Sequence, residues 1–454
     1  MNHQSSPEPI QPKSPESKPE NSSQAAVPDF EVVIGIDRSD AKIDICRRER
    51  DGSKSASQIS TAPEQLHKWM SALIEEHPES GAIAVAFEQP SRSMLAFLGA
   101  YHGQITIYAL NPATPAKFRE AFRTSRCKDD VTDAETIADL VAHHSTLLRP
   151  WHPQGELSRR LEQLTRARRQ AVDERTRLTN QLTDTLKSHF PQALQILGDD
   201  LWRPIVTAFL TKWPTLQDAQ KSREQTLRNF YYANRCRRMD TVEKRLTVIK
   251  DGVALSDDPA ILECARIKVR MLAKQIEGYT RAVANFDAAI AEAFAEHPDA
   301  EIFSSLPMAA AVLAPRLLAA FGDRRDQIGD AKELQCISGV APVTKQSGKS
   351  KIIHRRYRCS KFLRQSFVEW AGLSIQLSRW ALAYYESQIA KGKKHHTAVR
   401  ALAYKWQRIL FRCWQSGETY DEERYIKALK RAGSPLIARM KPIENEETPA
   451  PATG

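Results

Sequence analysis

The order of strand-like and helix-like runs between Phe30 and about residue 150 constrains this chain more than any other feature. "FEVVIGID" is a short apolar run of the kind a buried strand shows, and it stops on an acid, Asp37. "AKIDICRRE" alternates, with Ile43 and Ile45 on one side, and reads as its hairpin partner. "KSASQIST" is a weaker third strand. "PEQLHKWMSALIEEH" opens with Pro63 and sets Leu66, Trp69, Met70 and Leu73 on one helical stripe. "AIAVAFEQ" is another buried strand, "SRSMLAFLGAYH" a helix, "ITIYAL" a strand, and "DAETIADLVAHH" a helix beginning near Thr132.

Three strands, then helix, strand, helix, strand and helix, predict a mixed α/β sheet of the RNase H/RuvC-like type. With 454 residues the chain has room for two or three domains. Residues 1–29 are rich in Pro, Ser, Gln, Asn and Glu, bury too little to offset ordering entropy, and read as a disordered tail; residues 433–454 read the same way. In the middle, Leu157, Leu161, Leu164, Val172, Leu178, Leu182 and Leu186 fall near a heptad seam. Leu262, Val269, Leu272, Ile276, Tyr279, Val283, Phe286, Ile290 and Phe294 form a second such run. These runs pair as an antiparallel hairpin, join helices of another copy, or form a plain bundle core. From about residue 300 the chain is again mostly helical. The predicted layout is thus α/β plus all-α: a RuvC-like domain over 30–150, a long helical coiled-coil region with an insertion over 151–299, and a mostly helical C-terminal domain over 300–432.

Charge narrows the partner. The chain carries +11 overall, yet residues 341–415 alone hold 16 Lys and Arg against two acids, Glu369 and Glu386. A field so concentrated seeks a polyanion, and nucleic acid is the commonest one in a cytoplasm. Lys345, Lys349, Lys351, His354, Arg355, Arg356, Arg358, Lys361 and Arg364 would contact phosphates; the bland alternative is a solvated charged face. Seven scattered cysteines without a CxxC pair suit a reducing compartment better than a disulfide framework or a zinc ribbon. No apolar run reaches the roughly 18–20 residues of a spanning helix, and the N-terminus lacks a secretory leader pattern. A cytoplasmic protein with no membrane partner is expected.

Four acids carry the chemical reading. Asp37 and Glu88 end strand-like runs, and Asp130 and Asp133 stand three apart at a helix start. Acids at the carboxyl ends of buried strands face the crevice where such sheets bind ligands. Four converging carboxylates repel unless a divalent ion holds them, and hard oxygens suit Mg²⁺ or Mn²⁺. Two such ions assist phosphoryl transfer. Helix capping is the plain alternative for Asp130 and Asp133. Asp129 competes with Asp130, and Asp40 and Asp44 lie close to Asp37. A GxD at a strand end also occurs in sugar kinases, but no glycine-rich phosphate loop follows here.

"VIGIDRSDAKIDI", "AFEQP", "YALNPATPAKFREAF", "RCKDDVTDAETIADLV" and "LQCISGVAPVTKQSGKSK" together resemble the IS110 family of insertion-sequence transposases, over roughly residues 31–150 and 300–415. The resemblance implies that Asp37, Glu88, Asp130 and Asp133 are the four acids of a DEDD RuvC-like domain. It further implies that Ser347, in the Ser-Gly after Gly339 and Pro342, is the nucleophile that becomes a phosphoserine. Ser350 is a close competitor, Ser360 fits the family's later serine-lysine position, and the plain reading of "TKQSGKSK" is a basic turn. Donor and target DNA, a guide RNA, and a homodimer or homotetramer are also implied. Family members carry an apolar-Pro-Gly-Ile-Gly turn of a helix-hairpin-helix; the corresponding "SSLPMAAAVLAPRLLAAFGD" lacks both glycines and adds Pro315.

The expected activity is therefore metal-dependent DNA strand cleavage and exchange through phosphoserine. The alternatives are a RuvC-like nuclease or junction resolvase in which water attacks, and a non-catalytic nucleic-acid-binding protein. The aromatic, basic run "RNFYYANRCRR" in the insertion (191–259) points to no specific function.

Overall fold

A computed structural model describes residues 30–88, 92–122, 130–348 and 350–440; the side chains of residues 92, 130 and 131 lie outside that description. The chain divides into two compact units, one up to Pro153 and one from Gln154.

In the first unit, strands β1 (Val32–Arg38), β2 (Lys42–Glu49) and β3 (Lys54–Ser60) precede helix α1 (Pro63–Glu76). Then come β4 (Ile83–Glu88), α2 (Arg92–Gly99), β5 (Ile105–Leu110), α3 (Ala113–Phe122) and α4 (Asp130–His144). The sheet order is β3-β2-β1-β4-β5, antiparallel from β3 to β1 and parallel from β1 to β5. The expected mixed α/β sheet is present, with one helix more than the sequence suggested: α3. Val32, Ile34, Ile36, Val85 and Phe87 bury one face against Met70 and Leu73 of α1 and Met94 and Leu98 of α2. Val33, Ala84 and Ala86 bury the other against Ala134, Ile137, Ala138 and Val141 of α4.

The second unit is mostly helical. Helices α5 (Glu156–His189) and α11 (Pro259–Ala295) are about 50 and 55 Å long at 1.5 Å per residue. They run antiparallel within one chain: Ser158 meets His297 just past α11, Arg160 meets Glu292, and Arg168 meets Asp287. Between them α6 (Gln192–Leu197), α7 (Pro204–Lys212), α8 (Leu216–Gln220), α9 (Glu224–Ala233) and α10 (Met239–Asp251) close a separate apolar cluster around Phe209, Trp213 and Tyr231. The aromatic run "RNFYY" therefore supplies core, since Tyr231 is fully buried beside Phe209.

After α12 (Ala300–Ser304), α13 (Ala310–Phe321) and α14 (Ala331–Ile337), a hairpin of β6 (Val343–Ser347) and β7 (Ser350–His354) interrupts the helices. α15 (Lys361–Ser374), α16 (Arg379–Ala390), α17 (His395–Ser416) and α18 (Glu422–Arg431) complete the unit. Its core holds four fully buried tryptophans, Trp370, Trp380, Trp406 and Trp414. Each indole N–H is satisfied: Trp370 donates to the Pro307 carbonyl, Trp380 to the Tyr420 hydroxyl, Trp406 to Ser374 and Trp414 to the Gly322 carbonyl. Among the described residues no helix is long and apolar enough to cross a membrane.

Two outcomes test these contacts. A Cβ on Gly35 would lie 2.0 Å from the Ala134 carbonyl oxygen and 2.6 Å from the Ala138 nitrogen. Gly35→Ala should cost about 3 kcal/mol in urea unfolding, because backbone on both sides leaves nothing to yield. Buried His297 accepts at Nδ1 from the Asp299 amide, 3.1 Å, and lies 2.8 Å from Ser158 Oγ through Nε2. Burial holds its imidazole below the usual histidine range. Its neutral form is favoured in the fold, so its stabilisation is present above about pH 6.5 and is lost as pH falls through the lowered value. The melting temperature should drop between pH 7.5 and 5.5, and less so in His297→Gln.

Candidate active site

Period-two alternation decides where the acids go. Val33 faces α4, so Gly35 and Asp37 on the same strand share that face; Ala84 and Ala86 likewise carry Glu88. β1 and β4 are parallel with Ile36 opposite Phe87. Asp37 and Glu88 are the next residue on each strand, so their backbones lie about 5 Å apart, the spacing of neighbouring strands. Both are partly exposed at the carboxyl ends of their strands.

Gly35 brings in the third acid. With no side chain it lets α4 settle directly on β1, at Ala134 and Ala138. Further along α4, Asp139 pairs with Arg48, which sits opposite Val33 near the start of β1. α4 thus runs against β1, and its N-terminus points to the end where Asp37 and Glu88 lie. Asp133 directly precedes Ala134 and is buried. Asp130 is the first residue of α4, one turn earlier; its side chain is outside the described residues, as is Asp129.

Asp44 is the register partner of Asp37 and shares the face. It is committed elsewhere: its carboxylate accepts from Gln58 Nε2 at 2.7 Å and lies 3.6 Å from Lys42 Nζ. Asp40 lies in the turn between β1 and β2, off the sheet face. Asp133 is ion-paired with Arg119 from α3. Arg119 was not foreseen, because its partner lies on another helix and the segment "ATPAKFREAF" shows little amphipathic contrast. Hard carboxylate donors on one face at one end of the sheet suit a divalent cation chemically. Asp133, however, faces a guanidinium, and among the described residues no three His, Cys, Asp or Glu groups gather into a metal-holding set.

In the second unit, Ser347 and Ser350 are register partners at the end of the exposed hairpin, with Gly348 in the turn that follows Ser347. Both are exposed, whereas Ser360 caps α15, its Oγ accepting from the Leu363 amide at 3.3 Å. The sequence points here to a basic turn carrying Ser347 and not to two strands; the Ser-Gly dipeptide is the local hairpin signal, since "VTKQSGKSKIIH" has no polar-apolar alternation. Gly339 has φ +67°, and a Cβ there would lie 2.4 Å from Cys359 Sγ, so the Gly-x-x-Pro segment admits only glycine at its first position.

The basic residues divide. Lys345, Lys351, His354, Arg355, Arg358 and Lys361 are exposed, and Lys349 lies outside the described residues. Arg356 and Arg364 are half-buried and hold the loop between β7 and α15. Arg356 donates to Cys336 Sγ at 3.6 Å, and Arg364 donates to the Arg356 carbonyl at 3.3 Å and to Cys359 Sγ at 3.2 Å.

Two family models match. One is a transposase model, the DEDD domain of IS110 elements, over residues 34–191; the other, described as "Transposase IS116/IS110/IS902 family", covers residues 300–386. The chain belongs to the IS110 family of transposases. The mini-circle putative transposase for IS117 of Streptomyces coelicolor is 29% identical over 89% of this chain and 98% of its own length. The IS116 44.8 kDa protein of Streptomyces clavuligerus is 27% identical over 73% and 82%. The IS900 42 kDa protein of Mycobacterium paratuberculosis is 27% identical over 63% and 70%. This chain is accordingly an insertion-sequence DNA transposase, and a DEDD domain generally implies use of a divalent metal.

The transposase keeps an unusual turn at the place where the resemblance leads one to expect glycines. Met308 has φ +59° and Ala310 φ +41°, left-handed values that a Cβ disfavours. The Pro307 carbonyl just before them is held by Trp370 at 2.9 Å. Met308→Gly and Ala310→Gly should each raise unfolding free energy by up to about 1 kcal/mol, the relieved strain net of glycine's extra chain entropy.

Proposed function

We propose that residues 30–150 form a RuvC-like catalytic domain in which Asp37, Glu88, Asp130 and Asp133 hold Mg²⁺ or Mn²⁺. In this reading residues 300–432 form a transposase domain whose Ser347 attacks DNA, and residues 151–299 form the helical region between them. One observation carries the reading: Asp37 and Glu88 stand side by side on the face that α4, seated on Gly35, crosses with Asp133 at its leading end. When bound, a divalent ion would withdraw charge from a scissile phosphate and from the oxygens exchanged on it.

The chain's own residues do the rest. Ser347 Oγ forms a bond to phosphorus as the bond to a DNA oxygen breaks; the serine proton passes to solvent and the departing oxygen takes one up. The number of phosphoester bonds is unchanged, so a second DNA hydroxyl can reverse the step on another strand without ATP. Exposed Lys345, Lys351, Arg355, Arg358 and Lys361 neutralise phosphates around the hairpin, together with Lys349; Arg356 and Arg364 shape the loop from which the other cations project. Arg119 neutralises Asp133 until a metal replaces it. Strand exchange needs more than one active site, so the working form is a dimer or tetramer, and a guide RNA supplies target choice.

A suicide DNA substrate tests the assignment. With Mg²⁺ the wild-type chain should give a covalent protein–DNA adduct on a denaturing gel. Ser347→Ala and Asp37→Asn should lower the adduct at least about 100-fold, the scale of losing a nucleophile or metal ligand, and chelation should do the same while DNA binding persists. An adduct kept by Ser347→Ala but lost in Ser350→Ala would move the nucleophile. Cleavage without any adduct would mean that water attacks, and binding indifferent to Mg²⁺ without cleavage would mean a purely binding protein.

A further inference from the structure

A cavity of about 720 Å³ opens at the base of the hairpin, between α14, α16 and α17. Five Lys and Arg side chains line it, and among the described residues no carboxylate does. Arg355 and Lys393 stand exposed at the mouth and Arg400 is half-buried. Tyr384 and Tyr404 form part of the wall, Tyr384 under the ammonium of Lys405, 4.7 Å from the ring centre. Like charges gathered without a counter-charge call for an anion. Burial, and then the fields of Arg355 and Arg364, already weaken the hold of Arg400 on its proton.

We propose that this cavity takes one unpaired nucleotide, its phosphate on Arg355, Lys393 and Arg400 and its base against Tyr384 or Tyr404. The volume suits a single nucleotide, lying within the usual range of small-ligand sites, and is far too small for a duplex. Aromatic walls accept any base by its π-face, so the pocket reads strandedness and not sequence. Val343 and His354 close the hairpin at the cavity, and Ser347 lies four residues further out, about 14 Å along β6. A nucleotide seated here would hold a parted strand close to that serine. The proposal rests on the nucleic-acid reading above but not on the serine chemistry.

Binding anisotropy of the full chain, without Mg²⁺, decides it. The probes are a fluorescein-labelled single-stranded DNA 12-mer, the RNA 12-mer of the same sequence and the DNA duplex. Arg400→Gln and Tyr384→Leu should weaken single-strand binding at least about fivefold, the low end of a lost base stack, and leave duplex binding within about twofold. Tyr384→Phe keeps the ring and should keep the affinity. Lys393→Gln, at an exposed position where an amide can still donate to the Gln388 side chain in place of the ammonium, should lower the salt slope for single strands by about one contact. Loss on DNA alone, or on RNA alone, names the source of the nucleotide. Equal losses on single strand and duplex, or unchanged single-strand binding in Lys393→Gln and Arg400→Gln, overturn the pocket. A missing covalent adduct would sink the serine assignment and leave this result standing.

Discussion

The approach of α4 to β1 at Gly35 is the contact on which the first unit depends. A backbone carbonyl stands where any side chain at position 35 would go. That single missing methyl sets how closely the helix lies on the sheet and keeps Ala134 and Ala138 in register with β1. Asp133 comes along as the neighbour of Ala134. The chemistry proposed for the acids thus depends on a residue that has no functional group. The salt bridges from Arg48 and Lys54 to Asp139, and from Lys54 to Glu135, hold the helix over β2 and β3. These pairs are partly shielded from solvent and fix how the helix is turned on the sheet.

Much of this was legible in the sequence because one rule served both faces of the sheet. Unbroken apolar runs in "VVIGID" and "AIAVAFE" marked strands covered on both faces, and their ends fixed the backbone positions of Asp37 and Glu88. Long-range pairing left no such trace. Arg119 reaches Asp133 across two helices, and nothing in the spacing of residues 119 and 133 announces it. The hairpin β6–β7 leaves little trace in the sequence because neither face is covered: Ile352 and Ile353 are both exposed, so the polar-apolar contrast that marks a strand is missing. Charge density located the basic surface, but it could not separate exposed Arg358 from half-buried Arg364, whose partners are a carbonyl and a thiol. For the heptad runs, sequence left three readings open. The contacts of Arg160 and Arg168 across to Glu292 and Asp287 join the two helices within one chain.

In the second unit a dense aromatic centre supports polar work at the rim. Trp406 packs against both Trp370 and Trp380, with ring centres 4.7 and 4.5 Å away. Trp370 then reaches out to the Pro307 carbonyl, so the strained turn at Met308 and Ala310 is anchored from the core. That anchoring explains how a turn shaped for glycine persists without it: packing supplies what local propensity withholds. The same centre backs α17, which carries Arg400 and Tyr404 to the cavity wall.

The hairpin projects from this centre with both faces free. An arm of about 14 Å turns a tilt of about 20° at its root into roughly 5 Å of travel at its end. In the reaction proposed above, a small tilt of the hairpin would adjust the delivery of the Ser347 hydroxyl to a phosphate without unpacking any tryptophan. A lever of this kind separates two demands that usually conflict, a rigid mount and a reactive group with room to aim.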